Sequence, residues 1–402
     1  MFWMLCVLFI LICIMDYYKE RKLTIALIYS LEWAFLAIMV CFFDLPRDEL
    51  AFFFILINSA VFSFSHLFFN SRLNIQYGEI NEYELIERED KFYKINRIII
   101  VINLLAVLYL AYTLGFSISS FRSLNSLMIK MNAISHARYS EDAEYLPVIN
   151  RLVNAIVYAT CGYNGFFMAK KWKFANLPNI IIVLFQTILT NTKATLIFGI
   201  AFWAGGYLTG FHFFDKKMTK KKIIGFLGVA LGLILFSATI NYLRHKGDTA
   251  FSEEIVEIFV RYFIGPFSAF SLWFSSGIKN TFDFGANTFA CIFRLLGIRE
   301  QTHGDFVVIK GMTTNVYTIF KHLINDYSYV GTVLVSAIVG FISTVVDRSL
   351  GTKRFKAVGW SIAINATLLV AFFSSMFRYT TNLLAALIII CATLPIKFKV
   401  RR

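Results

Sequence analysis

The sequence predicts an all-α polytopic membrane protein of about eleven transmembrane helices, with a large loop that carries re-entrant or interfacial helices. Three observations predict it. Of 402 residues, 58% are hydrophobic and 16% charged, far too apolar a balance for a soluble domain of this length. Apolar runs long enough to cross about 30 Å of hydrocarbon recur along the chain. Short charged turns join most of them, and one excursion of 85 residues lies between Asn241 and Tyr327.

The runs fall at 1–15, 23–43, 51–69, 98–116, 148–169, 178–190, 194–213, 223–241, 328–346, 357–373 and 381–396. The first and sixth are short for a crossing and fit a tilted, interfacial or half-length helix. Only Met1 precedes the first run, so no basic n-region marks a cleaved signal peptide. Residues 1–241 thus hold eight spans, a cytoplasmic linker (71–97) and a first periplasmic loop (117–147). Residues 242–327 form the large periplasmic loop, and 328–402 the last three spans with a basic tail.

Orientation follows from the cations, because short cytoplasmic loops retain Lys and Arg. One set of loops holds Lys19, Arg21 and Lys22; Arg72 to Arg97; Lys170, Lys171 and Lys173; Lys216 to Lys222; Arg348 to Lys356; and the tail from Lys397. It contains 24 of the 39 Lys and Arg, which sets the N-terminus outside and the C-terminus inside. The net charge of +14 is mainly this topological signal. No basic stripe crosses a soluble domain, so a nucleic-acid partner is not indicated. The six cysteines sit singly, without CxxC or Cys/His spacing, which argues against zinc and structural disulfides.

Linker 71–97 carries mixed charge and reads as a solvated segment with scope for a short surface helix. No repeated halves are present, against the pattern of a repeat-built transporter. Segment 253–276 is apolar enough to pass for a span. If it crossed, the basic clusters at 348–356 and 397–402 would face outside, and Arg261 and the Gly265-Pro266 break would lie at membrane depth. It is therefore expected to be re-entrant or interfacial, with Ser252 as its N-cap and Glu253 and Glu254 in the first turn.

Chemistry-bearing residues gather in the excursion. From Gly311 to Asp326 the spacing predicts a helix with Asn315, Thr318, His322 and Asn325 on one face, Asp326 at its edge, and Thr313 or Thr314 as cap. The same face also fits a helix that merely turns a polar side to water. Arg244, Arg261, Arg378 and Lys193 are expected near one membrane face, where arginine forks pair two oxygens of a pyrophosphate at once. His245, His303, His322 and Asp326 are the acid–base candidates there. His66 and mid-span Glu32 read as structural polar groups, although an intramembrane carboxylate is also a functional candidate.

The chain resembles a bacterial O-antigen (oligosaccharide repeat-unit) polymerase of the Wzy type over nearly its whole length. The resemblance rests on the span count, the late large loop and four local matches: Asn191-Thr192-Lys193-Ala194-Thr195, Arg261-Tyr262-Phe263-Ile264-Gly265-Pro266, Thr314-Asn315-Val316-Tyr317-Thr318-Ile319-Phe320, and Asn325-Asp326 before a glycine-bearing span. An Arg-x10-Gly motif, which Arg151 and Gly162 match in spacing, lies in a span here and is not carried over.

The resemblance implies a GT-C-like glycosyltransferase of the bacterial inner membrane, acting on the periplasmic face without nucleotide sugar, metal or other cofactor. Donor and acceptor are undecaprenyl-pyrophosphate-linked oligosaccharides, and membrane lipid and a chain-length regulator protein are implied partners. Arg244, Arg261, Lys193 and Arg378 would stabilise the leaving pyrophosphate. Tyr262, Asn315, Tyr317 and Thr318 would line the substrate site, and His322 or Asp326 would orient or deprotonate the acceptor hydroxyl. An O-antigen ligase is the nearest alternative, and a lipid-linked oligosaccharide flippase the alternative outside the enzymes.

Overall fold

A chain in lipid must satisfy its peptide groups within each segment, so apolar runs close into helices. The computed structural model describes residues 1–20, 23–70, 82–138, 148–216, 219–244, 251–277, 282–298 and 306–394. The helices are α1 (Phe2–Glu20), α2 (Ile25–Phe42), α3 (Glu49–Asn70), α4 (Glu82–Thr113), α5 (Leu124–Arg138), α6 (Val148–Lys170), α7 (Pro178–Thr190), α8 (Lys193–Phe213), α9 (Lys220–Arg244), α10 (Phe251–Phe259), α11 (Gly265–Ser275), α12 (Ala290–Leu295), α13 (Ile319–Gly351), α14 (Phe355–Leu368) and α15 (Thr380–Thr393). A π turn, Val260–Ile264, joins α10 to α11, and strands β1 (Val307–Ile309) and β2 (Met312–Thr314) form an antiparallel hairpin.

Every expected apolar run falls on a helix. Among the described residues seven helical stretches are long and apolar enough to cross a membrane. Helices α7, α14 and α15, of 13, 14 and 14 residues, fall short of the ~20 that a crossing needs.

Two boundaries differ from expectation. Residues 82–97 of the linker are continuous with the following span, so α4 runs for 32 residues. Glu84–Arg88 and Glu87–Lys91 pairs support this stretch, and no proline or glycine halts propagation. The first excursion contains a 3₁₀ turn, Ile118–Phe121, followed by α5. Arg21, Lys22, Arg72, the patch Glu141–Glu144, His245, Lys246, Arg299, His303 and the basic tail lie outside the described residues.

The buried side chains form two main clusters. One joins α1, α2, α3 and α11 to the first half of α13. The other joins α6, α8, α14 and α15. In lipid, helices associate through close packing rather than apolar burial, which favours small residues at the crossing. At the α6–α8 crossing a Cβ on Gly206 would fall 1.8 Å from Gly162 O, and one on Gly165 2.0 Å from Trp203 O. Gly162 is therefore part of a helix contact. Helix α13 meets α3 in the same way, with Gly340 against Phe62 O and Ser336 Oγ bonded to Asn58 Oδ1 at 2.8 Å.

One end of the bundle is tied by buried polar groups. Asp347 in α13 accepts from Ile25 N at 2.9 Å and lies 3.2 Å from His66 Nε2 and 3.3 Å from His212 Nδ1. Asp16 accepts from Ser30 and Ser63 hydroxyls at 2.9 and 2.8 Å. His66 is thus a packed polar residue that links α3 to α13.

Segment 251–275 packs on α2 and α3 from the other end inward. Phe259 packs on Phe43 at 5.7 Å and Phe267 on Phe52 at 4.6 Å, both near the α2–α3 connection, and Ser268 Oγ donates to Pro46 O there. Phe267 reaches as deep as Trp33, at mid-α2, 6.1 Å away. Phe274 returns to Phe54 and Tyr329 at 5.6 and 5.5 Å. Residues 251–275 run as one unbroken helical stretch through the π turn, and Ile255–Ser275 is one of the seven stretches long and apolar enough to cross a membrane, so the segment does not fold back as the expected re-entrant hairpin would. Pro266 directly follows the π turn, where Gly265 N donates to Val260 O, and the wider turn accommodates the proline ring within the unbroken helix. Ser252 lies inside α10 rather than ahead of it, which removes it as the N-cap.

Candidate functional site

The two clusters meet at the α11 end of the bundle. Phe372, on the turn after α14, packs against both and stacks on Phe263 of the π turn at 6.1 Å. One residue earlier, Ala371 O accepts from Ile319 N at 2.8 Å, anchoring the start of α13. Two groups of cations flank this seam.

The first group is Lys193, Tyr262 and Arg261. Asn191 ends α7 in the left-handed region at φ 50°, a conformation that asparagine tolerates better than most residues. Its side chain is held by Met131 O at 3.0 Å. Thr192 Oγ1 bonds Thr190 and Thr195 at 2.6 and 2.7 Å, so the turn delivers Lys193 directly into α8. The lysine is buried, with Nζ 4.3 Å from the Tyr262 ring centroid, a cation–π seat. Arg261 pairs with Glu257 one turn earlier, while its Nε is buried without a partner.

The second group is His322, Arg378 and Arg294. Arg378 Nη1 lies 3.0 Å from His322 Nε2. A guanidinium only donates, so Nε2 accepts and His322 carries its proton on Nδ1. Arg294 of α12 donates to Arg378 O at 2.6 Å, and Cys291 Sγ to Phe377 O at 2.9 Å. Lys321 is also buried here, 3.5 Å from the Tyr317 centroid and 5.6 Å from that of Trp273.

Several roles expected from the sequence change. The expected helix over 311–326 begins only at Ile319; β2 and an extended stretch precede it. Tyr317 and Thr318 are buried and Asn315 is exposed, so Asn315 and Thr318 do not share a helix face with His322. Thr318 takes the N-cap position in place of Thr313 or Thr314, with its Oγ1 buried and unbonded.

Asp326 is fully buried. Its Oδ1 accepts from Asn287 N and Nδ2, both at 2.8 Å, and Oδ2 from Thr288 N at 2.6 Å. Three of its roughly four lone-pair sites are thus engaged in clamping loop 283–289, which leaves it little capacity to take a substrate proton. The loop is further tied by Ser375 Oγ to Thr288 O at 2.8 Å. Directly afterwards Ser328 breaks α13 at φ 63°, a strained backbone for a non-glycine residue.

Arg244 is the last residue of α9, and its side chain lies outside the described part of the structure. Glu32 differs from its structural assignment: both carboxylate oxygens are buried beside the Phe372 peptide without completing a hydrogen bond.

Below the second group lies a cavity of about 570 Å³, lined mainly by aliphatic and aromatic residues of α13, α14 and α15. Leu323 and Phe377, neighbours of His322 and Arg378, line its upper end with Thr288 and Ser375. It descends along α14 from Leu368 to Trp360, eight residues or roughly 12 Å at a helical rise. Ile342, Trp360 and Leu387 line it and are exposed on the apolar flank of the bundle, so it opens sideways. Sequence reasoning missed this cavity and the 283–294 loop, because their parts are apolar or turn-forming residues from distant segments. Comparison with known protein families, curated proteins and solved structures finds no match.

Proposed function

We propose that the chain is a membrane glycosyltransferase that polymerises undecaprenyl-pyrophosphate-linked oligosaccharide repeat units on the periplasmic face of the bacterial inner membrane. One observation carries the reading: a sideways-open apolar cavity ends beneath a cluster of buried and half-buried cations. That pairing suits a ligand with a long hydrocarbon chain and an anionic head. A soluble anion would not need the cavity, and a plain lipid would not need the cluster.

In this reaction an acceptor hydroxyl oxygen attacks the anomeric carbon of the donor glycan. The carbon–oxygen bond to the pyrophosphate breaks, its electron pair leaves on the phosphate oxygen, and the hydroxyl proton passes to a base. Arg378, held by His322 and Arg294, would stabilise the charge that develops on the leaving group, with Lys193 and Arg261 across the seam. Arg261 is already neutralised in part by Glu257, so Arg378 takes the leading role.

The test is glycan profiling of a deletion strain complemented with wild type or Arg378→Ala. Removing a pre-organised charge stabiliser slows such reactions about 10²–10³-fold. The long-chain ladder should therefore vanish while single capped units remain. Loss of all capping would point to a ligase or flippase, and an unchanged ladder would remove Arg378 from the chemistry.

A further inference from the structure

A second polar site lies at the far end of the bundle, where α7 begins. The buried residues of α4 are Glu89, Asn96, Asn103 and Leu110, spaced by seven, so one narrow seam faces α6 and α7 and most of it is polar. Asn103 Nδ2 donates to Asn179 Oδ1 at 3.4 Å, Asn179 Nδ2 to Asn96 Oδ1 at 2.7 Å, and Asn96 Nδ2 to Asn164 Oδ1 at 3.4 Å. Above them Glu89 accepts from Lys170 and Lys173 at 2.7 and 2.5 Å. Interhelical amide bonds of this kind hold a membrane helix in register.

Beside this seam is a cavity of about 640 Å³ lined by Asp90, Tyr93, Lys94, Asn96, Arg97 and Lys173. Lys94, Arg97 and Lys173 against Asp90 leave three positive charges and one negative, a net +2, although Lys173 is shared with Glu89. Tyr93 Oη is buried beside Asn176 without completing a hydrogen bond, and Asn176 is fully buried with both amide atoms unpaired. Tyr93 lines the cavity while Asn176 lies behind it, and an unpaired buried hydroxyl on a residue of a basic cavity signals a missing partner.

The position of the cavity selects that partner. Residues 82–97 of α4 are rich in charge, whereas 98–113 carry none. The change falls at Arg97–Ile98, and Ile100 lines the cavity's apolar edge. Ile98, Val101, Ile102 and Leu105 continue downward as exposed apolar side chains. A head held by Lys94 and Arg97 would therefore have its chains beside an oily helix face.

We propose that this cavity binds the phosphate of an anionic membrane phospholipid, with Lys94, Arg97 and Lys173 as donors and the acyl chains along α4 from Ile98 to Leu105. Basic pockets between transmembrane helices bind such headgroups by the same chemistry. The site is remote from the candidate glycan site and stands independently of the proposed reaction.

The test uses the full chain in phosphatidylcholine nanodiscs doped with phosphatidylglycerol, with lipid retention read by native mass spectrometry. Wild type should retain phosphatidylglycerol selectively, and Lys94→Gln/Arg97→Gln should lose at least about tenfold of that retention, as expected for removal of two charge-assisted donors. Lys19→Gln/Lys356→Gln, exposed cations elsewhere at the same end, should keep it. Equal loss in both double variants would reduce the effect to general surface charge and overturn the site. A second arm adds inorganic phosphate to lipid-free protein in detergent and follows thermal unfolding. Stabilisation by phosphate that depends on Lys94 and Arg97 and matches that by phosphatidylglycerol would assign the cavity to free phosphate instead.

Discussion

Asp326→Ala separates structural from chemical use of a residue placed by sequence among the catalytic ones. Its carboxylate accepts two backbone N–H groups, of Asn287 and Thr288, and the Asn287 side chain. Asn287 Nδ2 also donates to Asp283 at 2.8 Å, so truncation leaves that group a partner. The peptide N–H groups of buried Thr288 and half-buried Asn287 are orphaned, at about 1–3 kcal/mol each, or roughly 2–6 kcal/mol together. With 1.36 kcal/mol per tenfold, local opening of loop 283–294 should become at least ~30-fold more frequent. Hydrogen–deuterium exchange by mass spectrometry reads this directly, because amide exchange reports local opening. Protection should fall in 283–294 and the adjoining 374–378 turn, and remain in α2 and α3. Asp326→Asn keeps an oxygen acceptor and should lose less. Wild-type exchange in Asp326→Ala together with a lost glycan ladder would refute the clamp and restore Asp326 as a reacting group.

Gly206→Val places branched carbon where even a Cβ would sit 1.8 Å from Gly162 O. Helices α6 and α8 must part, and overpacking of this kind costs typically 1–3 kcal/mol or more, so the purified variant should unfold at lower temperature than Gly225→Val, whose glycine has open space around it. Burial pushes the Glu89 carboxyl up, but Lys170 and Lys173 outweigh it and hold it below its ordinary value. The folded state then binds fewer protons than the unfolded, so this contribution is present above the ordinary carboxylate range near pH ~4.3 and fades as pH falls below it. Wild type should exceed Glu89→Gln in thermal stability at neutral pH by about 1 kcal/mol or less, given half-exposed lysines. The two should converge in acid, and a gap independent of pH would refute the ion pair as its source.

Helices were legible in the sequence because their cause is local: an apolar run in lipid has no other way to satisfy its peptide groups. All eleven runs became helices for that reason, and the start of α4 was missed only because its charged first half looked like a linker. Seam residues Glu89, Asn96 and Asn103 stood at a spacing of seven in plain view, yet periodicity cannot tell a buried polar stripe from a wet one. The helix over 251–275 was legible as an apolar run, and the structure continues it unbroken through the π turn. Much of the candidate site was legible as composition: Lys193, Arg261, Tyr262, His322 and Arg378 do gather at one end.

The sequence by itself determined the helical membrane class, the apolar helix over 251–275 and the concentration of cations beside it, all of which follow from local polarity against a hydrocarbon slab. Tertiary structure alone decided the pairings. It made Asp326 a clamp on loop 283–289, gave Arg378 to His322, left Glu32 unbonded, and built an apolar cavity between α13, α14 and α15. Those outcomes depend on which side chains meet across 35 to 322 residues of chain, as in Cys6 beside Cys41 or Ile25 N on Asp347, and no local pattern encodes such distances.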